Sequence, residues 1–269
     1  MKLCDHRFLG LPAAKPRVWI DLSCAASKRA GLAMHMPGRK ALKWAVRILG
    51  WFAWLPIEKI VRGPIKRFDE LDGHEAIEKA VGSPIEYLTL YMGNDSAKTK
   101  LTVMVKLSRV EHADLVEEYD DSIGSTCSTR LKSTYVENRE MIVKIGRTPE
   151  AAAAIRSEAA MLKRLMSTTL CAQVPVVYGE VGASGIWTWS VQSVLPTGKS
   201  PVRLQKEHYA FLDDLKRIGI SHGDFAPWNC SLVGGKLYVW DWEEAGPYVE
   251  GKDEAWFKSQ VKRLLGVDA

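Results

Sequence analysis

The chain has 269 residues, of which 46% are hydrophobic and 26% are charged. This composition is ordinary for a globular protein and excludes fibrous and disordered classes. The net charge of +5 is unevenly spread, because the residues up to Phe68 include 14 basic and 3 acidic side chains whereas the remainder includes 23 and 29. A basic segment of this kind favours contact with phosphates, anionic lipid or an acidic substrate.

The sequence also limits where the protein is expected to act. No apolar run reaches the roughly 18 residues of a membrane-spanning helix, and the first residues lack the pattern of a secretory signal. The five cysteines are scattered and include no C-x-x-C pair. Disulfides and a zinc site are therefore not indicated, and we expect a cytoplasmic protein.

Residues 1–82 form the first predicted part, a basic and partly helical segment. Prolines interrupt its beginning, and a helical pattern follows in which Arg39, Lys43 and Arg47 recur every four residues, with Trp51 and Trp54 near its end. One interpretation is a helix packed on the body of the protein, with a solvated basic face. The other is an interfacial helix that touches an anionic membrane, at its inner face.

Residues 83–195 form the second predicted part, a β-rich lobe with an acidic insertion at 108–139. Short apolar runs bounded by polar turns are typical of strands, and Pro149 suits the first turn of a helix. The predicted elements are strands over 86–92, 101–107, 141–145, 174–180 and 186–195, and a helix from Thr148 to about Met166.

Residues 196–269 form the third predicted part, a small helical lobe. Its pattern predicts helices over 205–218 and 254–265 and a buried strand over 237–240. A strand-rich first half followed by a helical half is typical of an α+β fold.

The most informative stretch runs from Ser221 to Asn229, SHGDFAPWN, and is followed by WDWE at 240–243. A loop here presents Asp224 and Asn229, and Asp241 ends the next strand. Phosphoryl transfer needs such a set: one carboxylate accepts the proton of the acceptor hydroxyl, while an asparagine and a second carboxylate hold magnesium. The competing interpretation is a structural loop in which both aspartates only stabilise turns.

These residues resemble a known family. His222-Gly223-Asp224 with Asn229, and Asp241-Trp242-Glu243, are similar to the H-G-D-x-x-x-x-N loop and D-W/F-E motif of the aminoglycoside phosphotransferase and choline kinase-like family. The resemblance covers roughly residues 86–245. A narrower similarity is to bacterial sequences associated with surface-polysaccharide synthesis that also have a basic N-terminal segment.

The resemblance implies a two-lobed protein-kinase-like fold with ATP and Mg²⁺ as cofactors. It implies that Asp224 is the catalytic base, that Asn229 and Asp241 hold the metal, and that His222 orients the catalytic loop. Only about 27 residues separate Leu195 from His222, where the family has several substrate-binding helices. The C-terminal lobe is therefore expected to be reduced.

The resemblance also implies a strand lysine for the phosphates and a helix glutamate that pairs with it. Lys144 and Glu158 occupy suitable positions, because a lysine on a buried strand needs a carboxylate partner. The alternative is Lys106 with Glu117 or Glu118, although the sequence after Lys106 is too acidic and irregular for the required helix.

Further nucleotide contacts are implied by the resemblance alone. Gly93 lies in the hairpin tip that would cover the phosphates. The backbone of the adenine-binding hinge would comprise Gln192, Ser193, Val194 and Leu195.

The expected function is ATP-dependent transfer of the γ-phosphate to a hydroxyl group of a small molecule, sugar or glycolipid. The alternative is a kinase-like binding or scaffold module without turnover, which a reduced C-terminal lobe would suit. Nucleic acid is not an expected partner, because the sequence contains no motif that reads bases.

Overall fold

The computed structural model describes residues 5–12, 14–34, 48–82, 85–92, 100–107, 114–117, 129–133, 140–198 and 200–266. The chain forms two compact units. The first comprises Met1–Ala113, Thr134–Ala152 and Val181–Val191, and the second comprises Asp114–Ser133, Ala153–Glu180 and Gln192–Ala269.

Strands and helices are distributed over the whole described chain. The strands are β1 (Arg7–Leu11), β2 (Val18–Asp21), β3 (Ile65–Arg67), β4 (Ile85–Met92), β5 (Lys100–Leu107), β6 (Asp114–Glu117), β7 (Thr129–Ser133), β8 (Glu140–Gly146), β9 (Val177–Ser184), β10 (Trp187–Ser193), β11 (Ile220–Ser221), β12 (Cys230–Val233), β13 (Lys236–Val239) and β14 (Gly246–Pro247). The α-helices are α1 (Ala25–Met34), α2 (Ile57–Ile60), α3 (His74–Val81), α4 (Pro149–Leu165), α5 (Lys206–Arg217) and α6 (Lys252–Leu265).

The largest sheet has eight strands in the order β3-β1-β2-β4-β5-β8-β10-β9. Strand β4 pairs antiparallel with β2 and β5, and β5 pairs antiparallel with β8. Three two-stranded sheets accompany it, formed by β6 with β7, β11 with β14 and β12 with β13. A large antiparallel sheet combined with separate helices confirms the predicted α+β class.

The N-terminal segment, predicted to be partly helical, also contains strands β1, β2 and β3, which the sequence does not predict. Helices α1, α2 and α3 do lie within residues 1–82, but the three strands join the same segment to the large sheet. These strands have only three to five residues. Strand β2 is buried throughout, so it lacks the alternation that identifies a half-buried strand, and Pro12 and Pro16 obscure the pattern around it.

A buried polar cluster fastens this segment to the sheet. The Asp21 carboxylate is 2.8 Å from Nδ1 of His6 and also accepts hydrogen bonds from the backbone N–H groups of Ser23 and Leu88. Asp21 is fully buried. A buried carboxylate needs such partners to offset its desolvation, so β2 is held in place by polar as well as apolar contacts.

The elements predicted after residue 85 correspond to β4, β5, β8, α4, β10, α5, β13 and α6, with ends that differ by a few residues. Strand β9 begins three residues later than predicted, and the additional strands are β6, β7, β11, β12 and β14. The second unit has an aromatic-rich core that includes Phe211, Phe225, Trp242 and Phe257. In the part of the chain that the structure describes, no helix is long and apolar enough to cross a membrane.

Candidate active site

One carboxylate holds the beginning of the predicted catalytic loop. The loop leaves β11 at His222, where the backbone has no strand partner. Both oxygens of Asp253, in the first turn of α6, accept backbone N–H groups: Oδ2 from His222 at 2.8 Å and Oδ1 from Gly223 at 2.9 Å. Asp253 is itself buried. Hydrogen bonds to an ionised group are among the stronger ones, so α6 fixes the loop at its first two residues.

Gly223 is required by two separate constraints. Its φ of +86° lies in the left-handed region that favours glycine. A Cβ atom at this position would also stand 2.0 Å from the backbone oxygen of Glu244. The loop can therefore approach the segment after Asp241 only where the side chain is absent.

The His222 side chain connects this loop to the second motif. Its Nε2 lies 3.1 Å from the carbonyl oxygen of Trp240, and its Nδ1 accepts the backbone N–H of Asp224 at 3.3 Å. An imidazole that donates through Nε2 and accepts through Nδ1 is neutral. Burial lowers the pKa of His222, which agrees with this state. These contacts join the His222 ring to the backbone at Asp224 and Trp240, and its role in orienting the catalytic loop stays a prediction.

Asp224 is held at both carboxylate oxygens. Nδ2 of Asn229 donates to Oδ2 at 2.8 Å and to the Asp224 carbonyl oxygen at 2.9 Å. The indole N–H of Trp256 donates to Oδ1 at 2.6 Å. Asp224 is only half-buried, so its oriented carboxylate remains open to solvent and to a ligand.

The hairpin of β12 and β13 places Asn229 beside the second motif. Cys230 pairs with Val239, and the next step of the ladder is a 3.0 Å hydrogen bond from the N–H of Trp240 to the carbonyl oxygen of Asn229. Asp241 follows directly. Its φ of +66° makes it the sole non-glycine residue with positive φ in the described ranges, and strained backbone of this kind concentrates at functional sites.

Glu158 belongs to the same compact unit and meets the second motif. It is fully buried in α4, and its Oε1 accepts the backbone N–H of Trp242 at 3.3 Å. Lys144 lies in β8 of the first unit and is 8% exposed. Both side chains thus have the burial that the sequence predicts, and their pairing stays a prediction.

The other predicted nucleotide contacts stay predictions. Gln192 is buried, and Ser193 exchanges backbone and side-chain hydrogen bonds with Val176. Val194 and Leu195 follow as half-buried, non-strand residues. Gly93 lies outside the described residues. None of these positions has its nucleotide contact tested by the structure.

The alternative lysine has another partner. Nζ of Lys106 is 3.8 Å from Oε1 of Glu140, its opposite residue in the pairing of β5 with β8. Glu117 and Glu118, the predicted partners, have side chains outside the described part. The cross-strand pair gives Lys106 a structural role in the sheet.

Asn229 and Asp241 offer oxygen donor atoms of the kind that binds magnesium. Because the amide nitrogen of Asn229 is used on Asp224, the amide oxygen remains as a hard ligand, and Asp241 supplies a carboxylate. Among the described residues, no group of three or more His, Cys, Asp and Glu side chains could hold a metal ion. Magnesium commonly takes one or two protein ligands and completes its shell with phosphate and water oxygens.

Asp253 and Trp256 hydrogen-bond to the predicted catalytic loop, and no motif in the sequence indicates them. They lie about thirty residues after the loop, in a helix that the periodicity predicts but whose contacts it does not. A spacing of three residues places both side chains on one face of α6. Cys230, which follows Asn229, is buried, and burial raises the pKa of its thiol to about 12, so it is an inert core residue.

Comparison with known proteins gives little. No family model matches the chain, and no curated protein matches it. Among solved structures, the chain is similar to a crystal structure of a kinase domain, with a TM-score of 0.34 and 12% sequence identity. The similarity covers 61% of this chain and 62% of that kinase domain, so the chain spans less than two thirds of the length of the protein that it matches.

We expect Gly223→Ala to destabilise the protein more than Gly235→Ala. Both glycines have positive φ, but a Cβ at Gly235 meets nothing within 4 Å. Gly235→Ala should cost about 1 kcal/mol from backbone strain alone, and Gly223→Ala at least about 3 kcal/mol because the clash adds to it. Urea unfolding of the two variants measures the difference. Equal losses would show that the loop and Glu244 are not in close contact.

We expect stability to fall as the pH drops below about 6.5, the ordinary pKa of histidine. Burial lowers the pKa of both His208 and His222, so the unfolded chain takes up protons that the folded chain does not. Each histidine should then contribute up to about 1.4 kcal/mol per pH unit. Urea unfolding from pH 7.5 to 5.0 measures this slope, and His208→Leu should reduce it. A free energy of unfolding that rises on acidification would contradict the assignment.

Proposed function

We propose that the protein is an ATP-dependent phosphotransferase that acts on a hydroxyl group of a small molecule, sugar or glycolipid. The observation that supports this most is the Asp224 carboxylate, which is accessible and oriented by Asn229 and Trp256. A general base must be fixed in direction and reachable by its substrate. A purely structural aspartate would need neither property.

The proposed role of each residue follows from the atoms that it presents at the site. In the proposed reaction, Asp224 accepts the proton of the acceptor hydroxyl while the hydroxyl oxygen bonds to the γ-phosphorus and the bond to the β-phosphate oxygen breaks. Asn229 and Asp241 would hold Mg²⁺, which would neutralise charge on the phosphates. His222 and Asp253 keep the loop in position and do not touch the reacting atoms.

Glu158 and Lys144 would serve the nucleotide. Glu158 already ties α4 to the metal motif through Trp242, and we propose that its carboxylate also pairs with Lys144, which would contact the phosphates. The backbone of residues 192–195 would bind adenine. Ser231 donates to the carbonyl oxygen of Pro196 at 2.8 Å, which connects the end of this hinge to the start of β12.

A scaffold without turnover is the second candidate function, and one observation bears on it. Nδ2 of Asn229 and the Trp256 indole already occupy positions on the Asp224 carboxylate, and a protein that never accepts a proton could retain this arrangement. Each carboxylate oxygen has two lone pairs, however, so both contacts leave room for an acceptor hydroxyl. Turnover measurements decide between the two.

Asp224→Asn and Asp241→Asn should separate the two acidic roles. Asp224→Asn keeps the shape but removes the proton acceptor, so turnover should fall by about 10²–10⁴ while Mg·ATP affinity changes little. Asp241→Asn removes a charge next to the metal, so Mg·ATP affinity should fall by about tenfold or more. Calorimetry and a coupled ADP assay measure both effects.

The matched control is Asp213→Asn, an exposed carboxylate on α5, which should change neither quantity. If Asp224→Asn loses nucleotide binding and Asp241→Asn keeps it, the roles are reversed. If wild-type protein binds Mg·ATP without turnover over any acceptor pool, the scaffold function is supported instead.

Trp256→Phe should lower kcat by about tenfold, because phenylalanine keeps an aromatic ring but cannot donate the hydrogen bond to the Asp224 carboxylate, which is worth roughly 1.5–3 kcal/mol. Nucleotide binding should be unchanged, since Trp256 donates to Asp224 and not to the metal motif. Tyr209→Phe, an exposed aromatic on α5, is the control. Loss of nucleotide affinity with an intact kcat would show that Trp256 does not position the base.

We also propose peripheral contact with an anionic membrane, through residues 48–60. Large apolar side chains are exposed there, with Trp51 at 79% and Trp54 at 66%. Lys59 and Arg62 are exposed alongside them. Tryptophan beside basic side chains suits the headgroup region of anionic lipid. Arg39, Lys43 and Arg47, the predicted basic row, lie outside the described residues.

Replacing both Trp51 and Trp54 by alanine should reduce co-sedimentation with vesicles of anionic lipid by about tenfold, since each ring contributes more than about 1 kcal/mol of apolar burial. The control removes two exposed apolar residues elsewhere, Ile186→Ala and Val202→Ala. Binding that is equal for anionic and neutral vesicles, or unchanged in the double variant, would refute the membrane contact.

A further inference from the structure

A cavity of about 460 Å³ lies within the first unit, on the large sheet. Its size falls in the range of roughly 300–1,000 Å³ typical of small-molecule sites. Most of the residues that line it are apolar, and they include two tryptophans, Trp19 and Trp187. The proposed phosphotransfer does not use any of these residues.

The cavity lies on the sheet face opposite to Lys144. Met92 pairs with Leu101, and Leu101 pairs with Ile145, so these three cavity residues lie side by side on one face. Lys144 precedes Ile145 in the strand and pairs with Thr102. Since neighbouring residues in a strand point to opposite faces, this cavity is separate from the lysine predicted to contact ATP phosphates.

The rim of the cavity is basic. Lys66, Lys100 and Arg147 line it, against a single carboxylate from Asp72. Nζ of Lys66 is 5.4 Å from the centre of the Trp19 ring. Nη1 of Arg147 is 3.1 Å from Oδ2 of Asp72. Among the described residues that line the cavity, the three cations outnumber the one carboxylate.

The start of α4 adds to this potential. Thr148 lines the cavity and caps the helix, because its Oγ1 accepts the backbone N–H of Ala151 at 3.1 Å. The seventeen-residue helix presents its positive end here. A mostly apolar and aromatic lining with three basic side chains matches a ligand with an apolar body and an anionic group at one end.

We propose that this cavity binds a small amphiphilic anion: an apolar or aromatic body that carries a phosphate or carboxylate group. The body would lie between Trp19 and Trp187, and the anionic group would meet Lys66 and Arg147 at the rim. Arg147 would then exchange or share its contact with Asp72. This binding site is independent of the proposed phosphotransfer.

The test uses the full chain and two matched probes, 1-naphthyl phosphate and 1-naphthol, in calorimetric titrations. The phosphate should bind at least about tenfold more tightly at low salt, and added salt should narrow the difference. In a double variant, Lys66→Gln with Arg147→Gln, the affinity for 1-naphthyl phosphate should fall about tenfold, and the affinity for 1-naphthol should change little. Trp187→Leu should weaken both probes.

Lys79→Gln, an exposed lysine of the same unit outside the cavity, is the control and should change nothing. Titration in the presence of a saturating non-hydrolysable Mg·ATP analogue should leave the binding intact. Equal affinity for the two probes, no response to the Lys66 and Arg147 double variant, or displacement by the nucleotide analogue would each overturn the proposal. Thermal unfolding of each variant verifies that it is folded.

A final competition experiment distinguishes a soluble anion from a lipid headgroup as the ligand. Displacement of 1-naphthyl phosphate by soluble hexyl phosphate, with no effect of phosphatidate vesicles, supports a soluble ligand. Displacement by phosphatidate vesicles but not by phosphatidylcholine vesicles supports a lipid headgroup. If neither competitor displaces the probe from the wild-type protein, the cavity does not recognise phosphate and the proposal fails.

Discussion

The candidate site depends on the contact between Asp253 and the first two residues of the loop. At His222 the chain leaves β11, and its N–H groups lose the partners that a sheet would provide. The two oxygens of Asp253 replace those partners. An unsatisfied backbone N–H in a buried position costs about 1–3 kcal/mol, so this single carboxylate removes the main obstacle to a tight loop at this place.

Further hydrogen bonds then fix the rest of the loop. With its backbone fixed, His222 can reach Trp240, and the β12–β13 hairpin brings Asn229 to the same residue. Trp240 therefore contacts both ends of the first motif: its carbonyl oxygen lies 3.1 Å from Nε2 of His222, and its N–H donates to the carbonyl oxygen of Asn229. Asp224 and Asp241 lie next to these anchored positions, and each is presented by backbone that has little freedom to move.

The loop and its two motifs could be predicted because the residues that identify each motif are close together in the chain. Gly223, Asp224 and Asn229 are close in the chain, and hydrophobic periodicity was enough to locate α4, α5 and α6. Asp253 and Trp256 could not be assigned in this way, because their partners are about thirty residues distant and one face of a helix offers many side chains. Their single available signal was an acidic residue in the first turn of α6, which also suits an ordinary helix start.

The N-terminal strands could not be predicted for a different reason, which is that they are short and carry no clear periodicity. Strand β2 is buried on both faces and only four residues long, so periodicity cannot distinguish it from a short apolar loop. Its place beside β4 depends on long-range pairing and on the Asp21 cluster. The cavity against the same sheet was equally hidden, since Trp19, Lys66, Arg147 and Trp187 are brought together by strand order and not by any motif.

The most direct test is amide hydrogen exchange of Asp253→Asn, with Glu254→Gln as the control. An asparagine side chain has one carbonyl oxygen and so can accept only one of the two N–H groups well. The account predicts that the amides of His222 and Gly223 exchange at least about tenfold faster, corresponding to a loss of about 1.4 kcal/mol or more in local stability, and that magnesium-dependent turnover falls with them. Unchanged protection of both amides in Asp253→Asn would contradict the account.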